Sequence, residues 1–307
     1  MRILIIGSQG FVGKHVLFEL INKFGIKSIY STSVKDKELL GTKHCSEIRI
    51  TQGNIKTLSD FIQTNRITCV INAAGVIGLD SNTNPDIEIA KTIVNSFWLL
   101  ENKPFLIHIG SSSEYTSVGM DVDSSESSEC HPISIYGKNK LVVTKYLINA
   151  SEQYKFKLCV CRVFNIIGPN MNMKTILGRL YNEIVLNGKK NIEFRSLASY
   201  RDYIDIRDVS SAIIKLVKHI NNAVCFSKII NIGTGSAIHM RSLIEQIKNS
   251  STESFDFIEA DETLNDENIP WQQANIEKIQ KIIDWCPQYT TPQSIEYFLN
   301  REDENVN

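Results

Sequence analysis

Two rhythms of apolar residues alternate along the chain. Short runs with no polar face, such as Arg2-Ile-Leu-Ile-Ile6, read as strands buried on both sides. Between them the spacing turns helical, as in Val16, Leu17, Leu20, Ile21 and Phe24, stopped by Gly25. The same reading predicts strands at Ser28–Ser31, Glu47–Ile50, Thr68–Asn72, Phe105–Ile109 and Leu158–Val163. It predicts helices at Thr57–Thr64, from the end of the fourth strand through about residue 101, and around Tyr136–Lys140. Strand alternating with helix over the first 165 residues implies a parallel sheet with helices on both faces. Further on, helices are predicted at Thr175–Asn187, Val209–Ile220, Met240–Ile247 and Asn275–Ile283, with a late strand at Lys228–Ile232. The expected division is a dinucleotide-binding domain of 1–164 with 201–232, and a smaller lobe of 165–200 with 233–307. The Ser- and acid-rich stretch Thr116–Glu129 reads as a mobile surface loop, and Glu302–Asn307 as a frayed tail.

Composition narrows the class. Of 307 residues, 42% are hydrophobic and 22% charged, as in an ordinary globular protein, and the net charge of -1 argues against a nucleic-acid partner. No apolar run reaches the roughly 20 residues of a membrane span. A strand beginning at Arg2 leaves no room for a signal peptide, and the seven cysteines include no Cys-x-x-Cys pair, so a reduced, cytoplasmic protein is expected. The six histidines show no metal-ligand spacing, and no metal site is expected.

The candidate chemistry sits where strands end. Gly7-Ser-Gln-Gly-Phe-Val-Gly13 joins the first strand to the first helix. Glycines there allow a tight turn, close approach of a pyrophosphate and close helix–strand packing. Sheets of this kind that take NAD place an acid at the end of the second strand, on the ribose 2′-hydroxyl. This chain has Ser31, Thr32 and Ser33 there with Lys35 beyond, which fits a 2′-phosphate, so NADP is expected, with NAD possible. The alternative is that Lys35 is a solvated loop charge. Asn54 and Ile55 follow the third strand, and Ala73, Ala74 and Gly75 follow the fourth, where small residues let backbone approach a cofactor. Ser111, Ser112 and Ser113 follow the fifth. Tyr136 and Lys140, four apart, share one helix face. A phenol beside an ammonium is a usable proton donor to a carbonyl or alcohol oxygen, because the cation favours the phenolate. Alone, that pair reads rather as a helix with a half-buried Tyr and a solvated Lys.

Taken in order, these motifs resemble the extended short-chain dehydrogenase/reductase family, in its nucleotide-sugar branch. The motifs are the glycine turn, Asn72-Ala-Ala-Gly75, Ser111, Tyr136-x-x-x-Lys140, Arg162-Val-Phe-Asn165, Gly168-Pro169, Arg201-Asp-Tyr203, Asp208-Val209 and Asn231-Ile-Gly-Thr-Gly235. The resemblance implies a Rossmann-type doubly wound α/β fold with a smaller α/β C-terminal substrate lobe. It implies Tyr136 as proton donor or acceptor, Lys140 tuning it and holding the nicotinamide ribose, and Ser111 bonding the same oxygen. Gly7, Gln9, Gly10, Phe11, Val12, Gly13, Ser31, Thr32, Lys35, Asn54, Ile55, Ala73, Ala74, Gly75 and Val163 complete the expected cofactor contacts. Ser112, Asn165 and Arg201 are the expected contacts of a nucleotide-diphosphate sugar, unless Arg201 instead pairs with Asp202 or Asp205.

Within the branch, dehydratases carry an acid two positions after the Ser/Thr, where this chain has Ser113, with Glu114 one step further. The stretch Ile109–Tyr115 is similar to that of the GDP-4-keto-6-deoxy-mannose reductases, as is Ser196–Asp208. The chain departs from the branch at Leu264-Asn265, where an Arg-Pro is common. An NADPH-dependent C4 ketoreductase of a nucleotide-linked 4-keto-6-deoxy sugar is therefore expected. A 4-epimerase with retained NAD is the alternative, and a non-catalytic nucleotide-binding protein is the third. The resemblance also implies a homodimer, joined through the helices after the fourth strand and around Tyr136.

Overall fold

The computed structural model describes residues 1–32, 43–45, 54–75, 84–220, 228–260 and 269–300. Along the chain run β1 (Ile3–Ile6), α1 (Phe11–Phe24), β2 (Ile29–Thr32), β3 (Lys43–Cys45), α2 (Ile55–Thr64), β4 (Cys69–Asn72), α3 (Pro85–Trp98), β5 (Phe105–Ser111), α4 (Ile135–Tyr154) and β6 (Leu158–Val163). Then come β7 (Asn165–Ile167), α5 (Ile176–Tyr181), β8 (Asn191–Phe194), β9 (Tyr200–Asp205), α6 (Ile206–Ile220) and β10 (Ile229–Ile232). The chain continues with β11 (Ala237–His239), α7 (Met240–Ser250), β12 (Asp256–Glu259), β13 (Trp271–Gln272), α8 (Glu277–Ile283) and α9 (Thr291–Leu299).

Seven strands form one parallel sheet in the order β10-β6-β5-β4-β1-β2-β3. The order reverses between β1 and β4, which pair with Ile6 opposite Asn72. At such a switch point the crossovers leave in opposite directions and open a crevice at the carboxyl ends of the strands. The apolar runs are unbroken because both faces are covered. Ile3 and Ile5 pack with Val16, Leu17 and Leu20 of α1 and with α6. Leu4 and Ile6 pack on the other face with Leu58 of α2, Ile93 of α3 and Leu147 of α4. This is the doubly wound architecture that the alternation implies. Among the described residues no helix is long and apolar enough to cross a membrane.

A second sheet carries β11-β9-β13 with β7 beside β9, and β12 pairs with β8. A separate core fills this part, built from Leu177, Leu180, Ile192, Leu243, Ile247, Ile295 and Phe298. β9 thus hydrogen-bonds in the smaller sheet, while α6, which follows it directly, packs beneath the large one.

Several local expectations change. The third strand lies at Lys43–Cys45, and the expected Glu47–Ile50 lies outside the described residues, as does the tail Glu302–Asn307. The helix expected over Thr175–Asn187 is α5 followed by a π-helical turn, Asn182–Leu186. The acidic stretch Thr116–Glu129 is tied to the body. Ser124 is buried and exchanges backbone hydrogen bonds with Gln273 (2.8 Å) and Asn275 (2.9 Å), and Glu126 accepts from the Asn231 amide at 2.9 Å. Hydroxyls and carboxylates placed to pair with backbone do not make a loop mobile.

Candidate functional site

The site begins at the turn after β1. Gly7 takes φ 82°, and a Cβ there would stand 2.5 Å from the Ala74 amide. Only glycine lets this turn lie against the end of β4. The turn delivers the N-terminus of α1, whose first amides have no acceptor within the helix. Gly10, Phe11 and Val12 line a cavity of about 340 Å³ there, together with Ala73, Ala74, Gly75, Ser111, Ser112, Tyr136, Lys140, Val163 and Asn165.

α4 enters from the other side. Ser134 caps it, accepting from the Gly137 amide at 3.0 Å. A Cβ on Gly137 would stand 2.2 Å from the Ser113 carbonyl, so the missing side chain seats the start of α4 on the turn after β5. That contact puts Tyr136 and Ser111 on one cavity. The Lys140 ammonium lies 5.7 Å from the centre of the Tyr136 ring. Lys140 is buried, which by itself drives its pKa down, but the charges of Tyr136, Asp86 and Glu114 outweigh this and hold it above the ordinary value.

The turn carrying Ser111 is rigid. The Ser111 hydroxyl accepts from the Ser113 amide at 3.2 Å, and its own amide donates to Glu114 Oε1 at 3.1 Å, a capping box. The other oxygen of Glu114 accepts from Arg162 Nε at 3.0 Å, with both side chains buried. Glu114 is thus spent on structure and turned away from the cavity, whose described lining contains no carboxylate. His108 on β5 is also buried. Burial first, then the Lys140 charge, drives its pKa down to about 3, so the ring is neutral and Asn72 Nδ2 donates to its Nδ1 at 3.1 Å.

A second cavity of about 840 Å³ adjoins the first and shares Ser113, Asn165 and Thr175 with it. Arg179, Arg195 and Arg201 reach it. Arg201 donates to the Tyr200 carbonyl at 2.8 Å and has no ion-pair partner among the described residues. Burial holds its pKa below the usual guanidinium value, with Tyr203 opposing. The two expected competitors are engaged elsewhere. Asp202 accepts from the amides of Thr234, Gly235 and Ala274, and Asp205 grips Arg207. Asn165 donates to Gln272 Oε1 at 3.1 Å, and Gln272 donates to the Ser112 carbonyl at 3.2 Å. Gln272 is thus a brace between both cavities that no sequence motif announced.

Other expected residues fall outside these cavities. Gly7 and Gln9 lie in the turn itself, and Gly13 lies in α1, where a Cβ would stand 2.0 Å from the Gly7 carbonyl. Ser31 and Thr32 are buried in β2, where the Thr32 carbonyl accepts from the Ser8 hydroxyl at 3.1 Å. Asn54 and Ile55 open α2. Lys35 lies outside the described residues.

The glycine turn at the switch point fits a dinucleotide on observed grounds. The first amides of α1 and the small residues Ala73 and Ala74 on the cavity wall suit the diphosphate of such a group. Sheet, turn and Ser–Tyr–Lys set together define a short-chain dehydrogenase/reductase of the extended type. The chain belongs to the NAD dependent epimerase/dehydratase family, whose description it matches over residues 3–233. It is similar to a dTDP-6-deoxy-L-talose 4-dehydrogenase (NAD(P)(+)) of Kitasatospora kifunensis, 23% identical, with 96% of this chain and 93% of that one covered. It is also similar to the dTDP-D-glucose 4,6-dehydratase of Bos taurus, 23% identical over 92% of this chain and 88% of that one. In fold it is similar to a UDP-glucose 4-epimerase of Thermotoga maritima, with TM-score 0.82, 18% identity and full coverage of both chains.

Proposed function

We propose that the chain is an NADPH-dependent reductase of the C4 keto group of a nucleotide-linked 4-keto-6-deoxyhexose. The carrying observation is a cavity lined by Ser111, Tyr136 and Lys140, with the nearby Glu114 locked into Arg162 and the Ser111 amide. Eliminating water from a hexose needs groups that take one proton and protonate a leaving hydroxyl. The described lining supplies one proton donor of the right kind, Tyr136, and no carboxylate. Reduction of a ketone needs no more than this.

A bound nicotinamide supplies the hydride. Tyr136 gives its proton to the sugar oxygen, Ser111 bonds the same oxygen, and Lys140 stabilises the phenolate left behind. Arg201 pairs with the diphosphate, for which a fixed guanidinium fork is suited, and Asn165 bonds the sugar diphosphate where the cavities meet. The Kitasatospora relative's named reaction, dehydrogenation at C4, is this chemistry run in reverse. A 4-epimerase with retained NAD is the second reading. It uses the same lining, and the Thermotoga neighbour carries that activity in its name. We take the large sheet as the dinucleotide side and the smaller sheets as the nucleotide-sugar side. The exposed Trp98 on α3 and Val142 on α4 support pairing of these helices in a homodimer.

The test mixes purified protein with GDP- and dTDP-linked 4-keto-6-deoxy sugars in turn and follows the ultraviolet absorbance of NADPH, with NADH as the comparison. Stoichiometric loss of NADPH with one sugar supports the reductase and identifies the nucleotide. No loss, together with NAD that copurifies and interconversion of ordinary UDP-hexoses, replaces it with the epimerase.

A further inference from the structure

Lys140 is gripped by a residue that the Tyr136–Lys140 spacing does not reveal. Its ammonium lies 2.9 Å from Asp86 Oδ2, and both side chains are only 7% exposed. Asp86 stands in the first turn of α3, just after the cap residue Asn84, whose side chain donates to the Asn139 carbonyl on α4 at 3.1 Å. The two helices are thus tied together beside the ion pair. Gly75, on the cavity wall, leaves the space that the pair occupies. A Cβ there would stand 2.8 Å from Lys140 Nζ and 3.3 Å from Asp86 Oδ2.

Among the described residues, the other titratable groups facing Lys140 are Tyr136 on α4, Glu114 in the turn after β5, and His108 on β5. Glu114 is engaged by Arg162 and the Ser111 amide, and His108 is neutral. Among the described residues, Asp86 is therefore the carboxylate in direct contact. A buried ammonium without a counter-charge tends to give up its proton, and a neutral amine neither supports a phenolate nor stays anchored.

We propose that Asp86 is the positioning residue for Lys140, supplying the counter-charge that holds the ammonium at the cavity wall beside Tyr136. Its catalytic importance rests on the reading of Tyr136 and Lys140 given above, whereas its electrostatic part is measurable in the ligand-free protein. Asp86→Asn keeps the shape and removes the charge. Trace acetylation of amines across a pH series, with the Lys140 peptide quantified by mass spectrometry, should show about tenfold more labelling in Asp86→Asn at a fixed pH below the Lys140 midpoint. Where the wild type turns over, kcat should fall about tenfold or more with KM little changed, and the alkaline limb of the rate profile should move to lower pH. Wild-type labelling of Lys140 in Asp86→Asn, or an unchanged kcat and alkaline limb, overturns the proposal. Increased labelling in a protein whose wild type acts on no nucleotide sugar supports the electrostatic assignment and removes the reductase reading instead. If Asp86→Asn does not fold, Asp86→Asn combined with Lys140→Met removes both charges. Recovery of folded protein assigns the failure to the unpaired ammonium, and no recovery overturns the proposal.

Discussion

Tyr136, Glu114 and His108 are the residues at which the chemistry and its support separate most cleanly. Tyr136 is half-buried at the start of α4 and lines the cavity, so if it is the proton donor proposed above, Tyr136→Phe should keep the fold and lower kcat by a factor on the order of 10²–10⁴, read against an unchanged melting temperature. Glu114 acts on stability. Glu114→Gln leaves the buried Arg162 charge without its partner, and denaturant unfolding should show a loss of about 3–5 kcal/mol. His108 sets a pH response. In the unfolded chain it takes a proton below pH 6.5, whereas in the folded chain it stays neutral down to about 3. The unfolded state therefore binds more protons across that window, and stability falls as the pH drops through it. Melting temperature should decline more steeply below pH 6.5 in the wild type than in His108→Gln.

At the scale of elements, the seating of α4 on the turn after β5 decides whether Ser111 and Tyr136 meet. In Gly137→Ala the new methyl meets a backbone carbonyl at 2.2 Å, and backbone cannot swing aside as a side chain can. The helix start must shift, and kcat/KM should drop about 10²-fold while circular dichroism stays near that of the wild type. The long elements were legible because period is a strong signal in four to seven buried strand residues or twenty helical ones. The short ones were not. β7 and β11 have three residues each and β13 has two, too few for an alternation to show. α9 does carry a local signal, a capping box from Thr290 to Gln293 with Pro292 in the first turn.

Across the whole molecule, one cavity opens at the large sheet and the adjoining one at the smaller sheets, with Asn165 and Gln272 at the seam. Arg201 belongs to the smaller side, so Arg201→Gln should weaken binding of the nucleotide sugar about 10–100-fold and leave NADPH affinity unchanged, as calorimetry of each ligand separately would show. The sequence by itself determined the doubly wound sheet, the glycine turn and the Tyr136–Lys140 pair. These rest on local spacing: a buried strand needs an apolar run, a tight turn needs glycine, and a helix puts residues four apart on one face. Only the tertiary structure decided which charges those residues meet. Asp86 lies 54 residues before Lys140, Arg162 lies 48 after Glu114, and Gln272 lies 107 after Asn165. No periodicity connects positions so far apart. Their partnership is made by helices and sheets packing together, and it is there that Glu114 meets a buried guanidinium and Asp86 a buried ammonium.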